Sequence, residues 1–345
     1  MGVHKEQSTL VIGGGAAGIE AARMLGQAGY PVVIVEKSDR LGGVLNQLAS
    51  SFPRWEDPDK FVAPRIKELE QNAAVRILLE SVVSGCQKNQ NGYQVQIKNN
   101  SGATEELQVG AVIIATGFEL MDLSGYGEYG HGVFPNVLNS LEFEAVLKEW
   151  STGKKPEKPP VVAFFKCVGS RDRSKGYPYC SKICCMYSAK QAGMVKDLIP
   201  EAKSYVFYMD YRASGKEYEE FVRSVIEEKH VRYVRGRPAK VLPEEGRLLI
   251  RCEDTLMGVP VEVRADYIVL AAAIRPSRGT GEMAEMFGLP TDVYGFIEPE
   301  PFQPVKVQER VFMAGSCGFA IETLGALQQG AAAAAQAMAV LNQTD

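Results

Sequence analysis

Short β-branched runs and stretches with apolar residues at helical spacing alternate along the chain, and the alternation occurs twice. "STLVIGGGAAGIEAARMLGQAGYPVVIVEK" (8–37) reads as strand, glycine turn, helix and strand. "DPDKFVAPRIKELEQN" (57–72) predicts a helix with Pro58 near its start. "VRILLESVVSGCQ", "GYQVQIKN" and "EELQVGAVIIATG" predict a small meander returning to a buried strand at 111–115. "STGKKPEKPP" (151–160), polar and rich in Pro and Lys, reads as a linker. The plan then repeats. "VVAFFKC" (161–167) is a buried strand, "CCMYSAKQAGMVKDLI" (184–199) a helix, "AKSYVFYM" (202–209) a strand and "GKEYEEFVRSVIEEK" (215–229) a helix. "RLLIRCED", "VPVEVRA" and "YIVLAAA" give a second meander and return strand, and the tail ends in a strand and a long helix. The expected fold class is α/β, with two doubly wound Rossmann-like domains. Residues 1–150 with 278–345 form one discontinuous domain, and 151–277 form an inserted one.

Composition adds exclusions. Among 345 residues, 38 basic against 42 acidic gives −4, which argues against a nucleic-acid footprint. No apolar run approaches the roughly 18 residues of a membrane span. The N-terminus lacks a signal-peptide core, and Glu6 stands where a myristoylation signal after Met1-Gly2 needs Ser or Thr. A cytoplasmic location is expected, with thiols reduced, and seven cysteines do not form a secreted disulfide framework. None of His4, His131 and His230 lies in a recognisable motif, so triad hydrolysis has little support.

Gly13-Gly14-Gly15-Ala16-Ala17-Gly18 supplies G-x-G-x-x-G between a strand and a helix. Gly13 permits the tight turn, Gly15 lets the backbone approach a pyrophosphate at the helix N-terminus, and Gly18 allows close helix–strand packing. Glu36, 23 residues after Gly13, can accept from ribose hydroxyls and would repel a 2′-phosphate. The alternative, turn glycines beside a solvated glutamate, is disfavoured because context, spacing and acid agree. "EKSDRLGG" (36–43), with Lys37, Arg40, Gly42 and Gly43, resembles an FAD-domain pattern that extends the pyrophosphate cradle. "VIIATG" (112–117), with Ala115, Thr116 and Gly117, resembles the return strand of flavoproteins with two dinucleotide domains. "VFMAGSC" (311–317) resembles their C-terminal strand, with Gly315 near the ribityl chain and Ser316 where that class usually has Asp. Val83, in the meander, is grouped with the FAD site. The helix from about Glu322 would aim its positive end at the flavin pyrimidine.

The strand 161–167 is not followed by a second glycine loop. Cys167, Cys180, Cys184 and Cys185 follow instead, as C-x12-C-x3-C-C. Soft thiolates select iron–sulfur clusters or zinc. Cys180 and Cys184 share a face if the helix has begun, while Cys185 is rotated roughly 100° from Cys184. Diverging neighbours suit a [4Fe–4S] cube better than a tetrahedral zinc. Structural zinc, a vicinal thiol–disulfide centre and buried free cysteines remain alternatives. The chain has no C-x-x-C, which disfavours redox thiols of the thioredoxin-reductase type. Cys86, Cys252 and Cys317 read as small core residues.

"CVGSRD" (167–172), "YCSKICCMYSAKQA" (179–192), the glycine loop and "RLGG" together resemble the heterodisulfide reductase family, in its A-type subunits. The resemblance implies a thioredoxin-reductase-like core carrying FAD and a [4Fe–4S] cluster on the four cysteines. It implies Lys190 and Glu144 as catalytic groups beside the flavin. Without it, Lys190 reads as a solvated helix lysine. Larger members carry ferredoxin-like C-x2-C-x2-C-x3-C segments and a Gly-Pro-Lys-Asp run. This chain has neither, and reads Gly318-Phe319-Ala320-Ile321 at the latter position. The short form resembles the corresponding component of heterodisulfide-reductase-like complexes of sulfur-oxidising bacteria. The expected role is that of an electron-transfer oxidoreductase component, homodimeric within a larger complex, with the sulfur chemistry on other subunits. The alternatives are an NAD(P)H-dependent disulfide oxidoreductase and a subunit of a quinone-interacting oxidoreductase. A non-catalytic zinc scaffold is a reading of another class.

Overall fold

The computed structural model describes residues 7–342; Met1, Gly2, His4 and Glu6 lie outside them. The chain divides into two compact units. The first takes the described residues up to Asn46, then Asp59–Glu119, and resumes at Arg275; the second takes Gln47–Pro58 and Leu120–Ile274.

In the first unit the strands run in the order Lys306–Gln308, Val311–Met313, Thr104–Ile114, Ser8–Ile12, Val32–Val35 and Val75–Leu78. The tail strand joins in parallel, Phe312 opposite Ile113, as the sequence pattern predicts. All of Val32–Val35 is buried, because a sheet covered on both faces needs apolar residues on both. Ser81–Asn89 and Gly92–Asn99 form the antiparallel meander. The run "VRILLESVV" is broken at Glu80, whose φ of 48° ends one strand before the next begins. The alanine-rich helix Thr323–Leu341 starts one residue after Glu322, its N-cap. It crosses Ala16–Gln27 so closely that a side chain at Gly330 would strike the Ala17 carbonyl.

In the second unit the order is Arg232–Arg235, Lys203–Tyr208, Val161–Val168, Tyr267–Ala272 and Val137–Asn139, all parallel. The meander is Lys240–Glu244, Arg247–Asp254 and Val259–Ala265. Ser140–Ser151, Cys184–Leu198 and Tyr218–Glu227 are its helices. The domain boundary expected at 150 is corrected here: the crossings fall at 119/120 and 274/275. Residues 120–150 group with the second unit because Leu138 pairs with Val269 and Phe143 packs edge-on against Phe164 at 5.5 Å. The apolar face of Phe143, Leu147 and Trp150 has its complement on that sheet. The stretch 151–160 is thus a connection within one unit. No helix among the described residues is long and apolar enough to cross a membrane.

Candidate functional site

Each unit presents one candidate site. In the first, Gly13 has φ +108°, and a side chain there would strike the Ala115 carbonyl. One at Gly18 would strike the Gly13 carbonyl, so strand and helix can approach only through glycine. Gly15 differs: an added Cβ meets nothing within 4 Å. It is the N-cap of Ala16–Gln27, which has no side-chain cap and no acid in its first turn. Open space before uncapped N–H groups is what a pyrophosphate requires. Ala16 and Ala17 open this helix.

Glu36 is buried, accepting from Gly14 N at 2.7 Å and from Ser38 N and Oγ at 2.8 and 2.6 Å. These bonds fix the carboxylate beside the glycine turn. Gly42 N donates to Gly14 O at 2.8 Å and so docks the "RLGG" loop onto it; Gly43 is at φ +54°. Lys37 and Arg40 are exposed. Arg40 lines a cleft of about 350 Å³ with Leu41, Asn46, Val62 and Ile66, residues that no motif signalled. Ala115 is buried at the end of its strand, and Gly117 is at φ +74° with open space around it. Thr116 is held by Thr280 Oγ1 at 2.7 Å and by Ser277 Oγ, which donates to its carbonyl at 3.0 Å. Gly315 N donates to Gln329 Oε1 at 2.9 Å. Ser316 Oγ accepts from Ile321 N at 3.4 Å. Val83 points into the core, leaving only its main chain for a ligand. The open cradle, uncapped helix and fixed carboxylate fit a dinucleotide such as FAD.

In the second unit the cysteines stand at the carboxyl end of the parallel sheet, the usual ligand position in doubly wound folds. Cys167 ends the strand Val161–Val168 with φ +58°; Arg171 and Lys182 are also left-handed, at +62° and +55°. Three such non-glycine residues on one loop are costly, and hydrogen bonds hold the loop in place. Asp172 accepts from Ser174 N at 2.9 Å and from Arg237 Nη2 at 3.0 Å. Ser170 and Ser181 pair at 2.5 Å, and Ile274 N donates to Ser181 Oγ at 2.9 Å.

The helix starts at Cys184, so Cys180 lies in the loop before it and helical spacing does not relate the two. Cys167, Cys184 and Cys185 are buried; Cys180 is half-buried. The Cys184 thiol hydrogen-bonds both neighbours. That lowers Cys167 to about 7 and Cys185 to about 5, with Lys166 adding to both. The same bonds, with burial, raise Cys184. Arg212 N donates to Cys185 Sγ at 3.3 Å. Lys166 is buried, and its Nζ has no hydrogen-bond partner. Among the described residues no three or more Cys, His, Asp or Glu are arranged to hold a metal ion. The four expected ligands therefore do not converge as a metal site; three lie thiol against thiol. As chemistry, the donor set fits a thiolate-bound centre: four soft ligands beside a buried cation without an acceptor.

Lys190 is not a solvated helix lysine. It is 1% exposed, donating to Glu144 Oε1 at 2.5 Å and to Ser50 O at 2.9 Å. Glu144 also accepts from Ala49 N at 2.8 Å and Gln191 Nε2 at 2.6 Å. Burial lowers the Lys190 ammonium's pKa and Glu144 opposes that. The pair anchors segment 47–58, whose Phe52 and Trp55 pack on Tyr218 and Phe221. No sequence signal pointed to Ser50, Ala49 or Gln191 as its partners. His131 pairs with Glu142 at 3.1 Å, apart from both sites. Cys252 and Cys317 are buried as expected, whereas Cys86 is only half-buried.

Residues 7–156 match the family model described as pyridine nucleotide-disulphide oxidoreductase. The chain is similar to the A-type iron-sulfur subunit of the CoB–CoM heterodisulfide reductase of Methanocaldococcus jannaschii, 31% identical over 86% of this chain and 58% of that protein. It is also similar to the A-type subunit of the H2:CoB-CoM heterodisulfide,ferredoxin reductase of Methanothermobacter marburgensis, 30% identical over 97% of this chain and 64% of that one. It thus spans about three-fifths of the length of the curated relatives it matches. Among solved structures, the thioredoxin reductase of T. acidophilum superposes with a TM-score of 0.66 at 15% identity, over 96% of this chain and 98% of that one. That likeness shows a thioredoxin-reductase-like fold of two doubly wound units.

Proposed function

Over most of its length the chain is homologous to the A-type subunits of heterodisulfide reductases, and on that premise we propose that it is the electron-transfer component of such an oxidoreductase. It holds FAD at the glycine loop and a [4Fe–4S] cluster on Cys167, Cys180, Cys184 and Cys185. The observation that carries this reading is the buried thiol group at the carboxyl end of the second sheet, where a second glycine loop would otherwise stand. When bound, FAD takes up electrons in pairs or singly and an iron–sulfur cluster carries them singly.

The chain's own residues bind and orient. Gly15 and the first turn of Ala16–Gln27 receive the pyrophosphate, and Glu36 accepts from the ribose. Thr116, Gly117, Gly315 and Ser316 line the flavin end. Buried Lys166 places positive charge by the thiolates. Lys190 and Glu144, implied as flavin neighbours by the resemblance, set a fixed charged pair and hold segment 47–58. Disulfide or sulfur chemistry falls to the other subunits of a heterodisulfide-reductase-like complex, and the chain works there as a cytoplasmic homodimer. Phe319, packed on Phe296 at 5.2 Å, occupies the position where bifurcating members differ, so pairwise splitting of electrons is not assigned to this chain.

Anaerobic preparation tests the proposal. The expected result is FAD together with iron and sulfide in the proportion of one [4Fe–4S] cluster per chain. Cys184→Ser and Cys185→Ser should each lose iron and keep flavin. Full flavin with no thiol-bound iron overturns the relay.

A further inference from the structure

Two buried donors beside Cys185 have no acceptor. Lys166 is on the strand Val161–Val168, 6% exposed, with Nζ sealed from solvent and unpartnered. Tyr233 is on the strand Arg232–Arg235, and its Oη is equally sealed and unpartnered. Tyr208 on the intervening strand links them: the Lys166 ammonium stands 5.7 Å from its ring centroid, and that ring packs edge-on against Tyr233 at 5.5 Å. The Lys166 charge favours the thiolates of both Cys167 and Cys185. Cys185 in turn acts on the Tyr233 phenol, which burial has already raised. Asp210 lies in the same field, but it is paired with Arg171 at 2.7 Å and is half-exposed.

Folded proteins pair nearly all buried donors, because an orphan costs about 1–3 kcal/mol and more when charged. Two orphans in one chamber, both facing the thiols, require an acceptor that the polypeptide does not supply. Sulfide and thiolate sulfurs accept only and carry negative charge. Resting on the cluster reading above, we propose that Lys166 and Tyr233 are positioning residues whose charge and hydrogen bonds raise the reduction potential of the thiolate-bound cluster. The reduced form carries one more negative charge, so a donor facing it stabilises that form more than the oxidised one.

The test uses the full chain, loaded anaerobically, as Lys166→Met and Tyr233→Phe. EPR-monitored redox titration should give a lower cluster midpoint potential in each, with iron content unchanged. Iron retained with an unmoved potential overturns the inference, whereas a wild-type protein without iron overturns the cluster reading instead. Thermal unfolding of the metal-free protein is a second readout. Tyr233→Phe removes an unsatisfied hydroxyl and should leave the melting temperature equal or higher; a fall would show that Oη has a partner within the polypeptide and overturn the proposal. Should Lys166→Met not load, Tyr233→Phe decides alone. A folded Tyr233→Phe that binds no iron makes the phenol a holding group and equally overturns the tuning role.

Discussion

A methyl group at Gly15 meets open space, while at Gly18 it meets a carbonyl oxygen. The two glycines of one motif therefore separate by experiment. Gly15→Ala should leave the melting temperature near the wild-type value and lower FAD affinity at least tenfold, read by flavin retention and calorimetric titration. Gly18→Ala should lower the melting temperature itself, because a backbone contact has to open. Lys190 and Glu144 supply a second test at this scale. Removing one partner of a buried ion pair leaves the other uncompensated, so Lys190→Met should cost roughly 3 kcal/mol in chemical denaturation. The fingerprint glycines and Glu36 were legible as residues because their spacing is fixed by local geometry. The burial of Lys190 was not, since its acceptors come from segments 46 and 140 positions away in the chain.

The loop between the strand Val161–Val168 and the helix Cys184–Leu198 is the element that carries the thiol chemistry. Asp172 fastens it, its carboxyl held at about 2 by the Ser174 hydroxyl first and by Arg237. A carboxyl below its unfolded value of 3.8 adds stability that is complete above about pH 4 and is lost as pH falls through about 2. The shift, discounted for solvent at this partly exposed site, corresponds to roughly 1 kcal/mol. Asp172→Asn should lower stability at pH 7 by that amount and flatten the acid limb between pH 4 and 2 in denaturant titrations. The sequence predicted this helix within a residue or two, because "CCMYSAKQAGMVKDLI" carries a continuous apolar face. It could not place Cys180, because the left-handed turns at Arg171 and Lys182 are set by tertiary hydrogen bonds rather than by residue type.

At the scale of the molecule, the chain spans about three-fifths of its curated relatives, and that bears on where the rest of the reaction occurs. Purification from native extract under anaerobic conditions should bring down cysteine-rich partner subunits, and light scattering of the isolated chain should give twice its mass. A monomer without partners would count against the complex proposed here. The repeated plan of strand, helix, strand, meander and return strand was readable without coordinates, because hydrophobic period and turn chemistry are local and each half states them in full. The location of the division was not. Phe143, Leu147 and Trp150 needed an apolar sheet, and two such sheets were on offer; only folding chose the second. The sequence by itself determined the two doubly wound units, the dinucleotide cradle and the presence of four closely spaced thiols. The tertiary structure alone decided which thiols touch, which lysines are buried and where the units part, because burial and pairing depend on residues far apart along the chain.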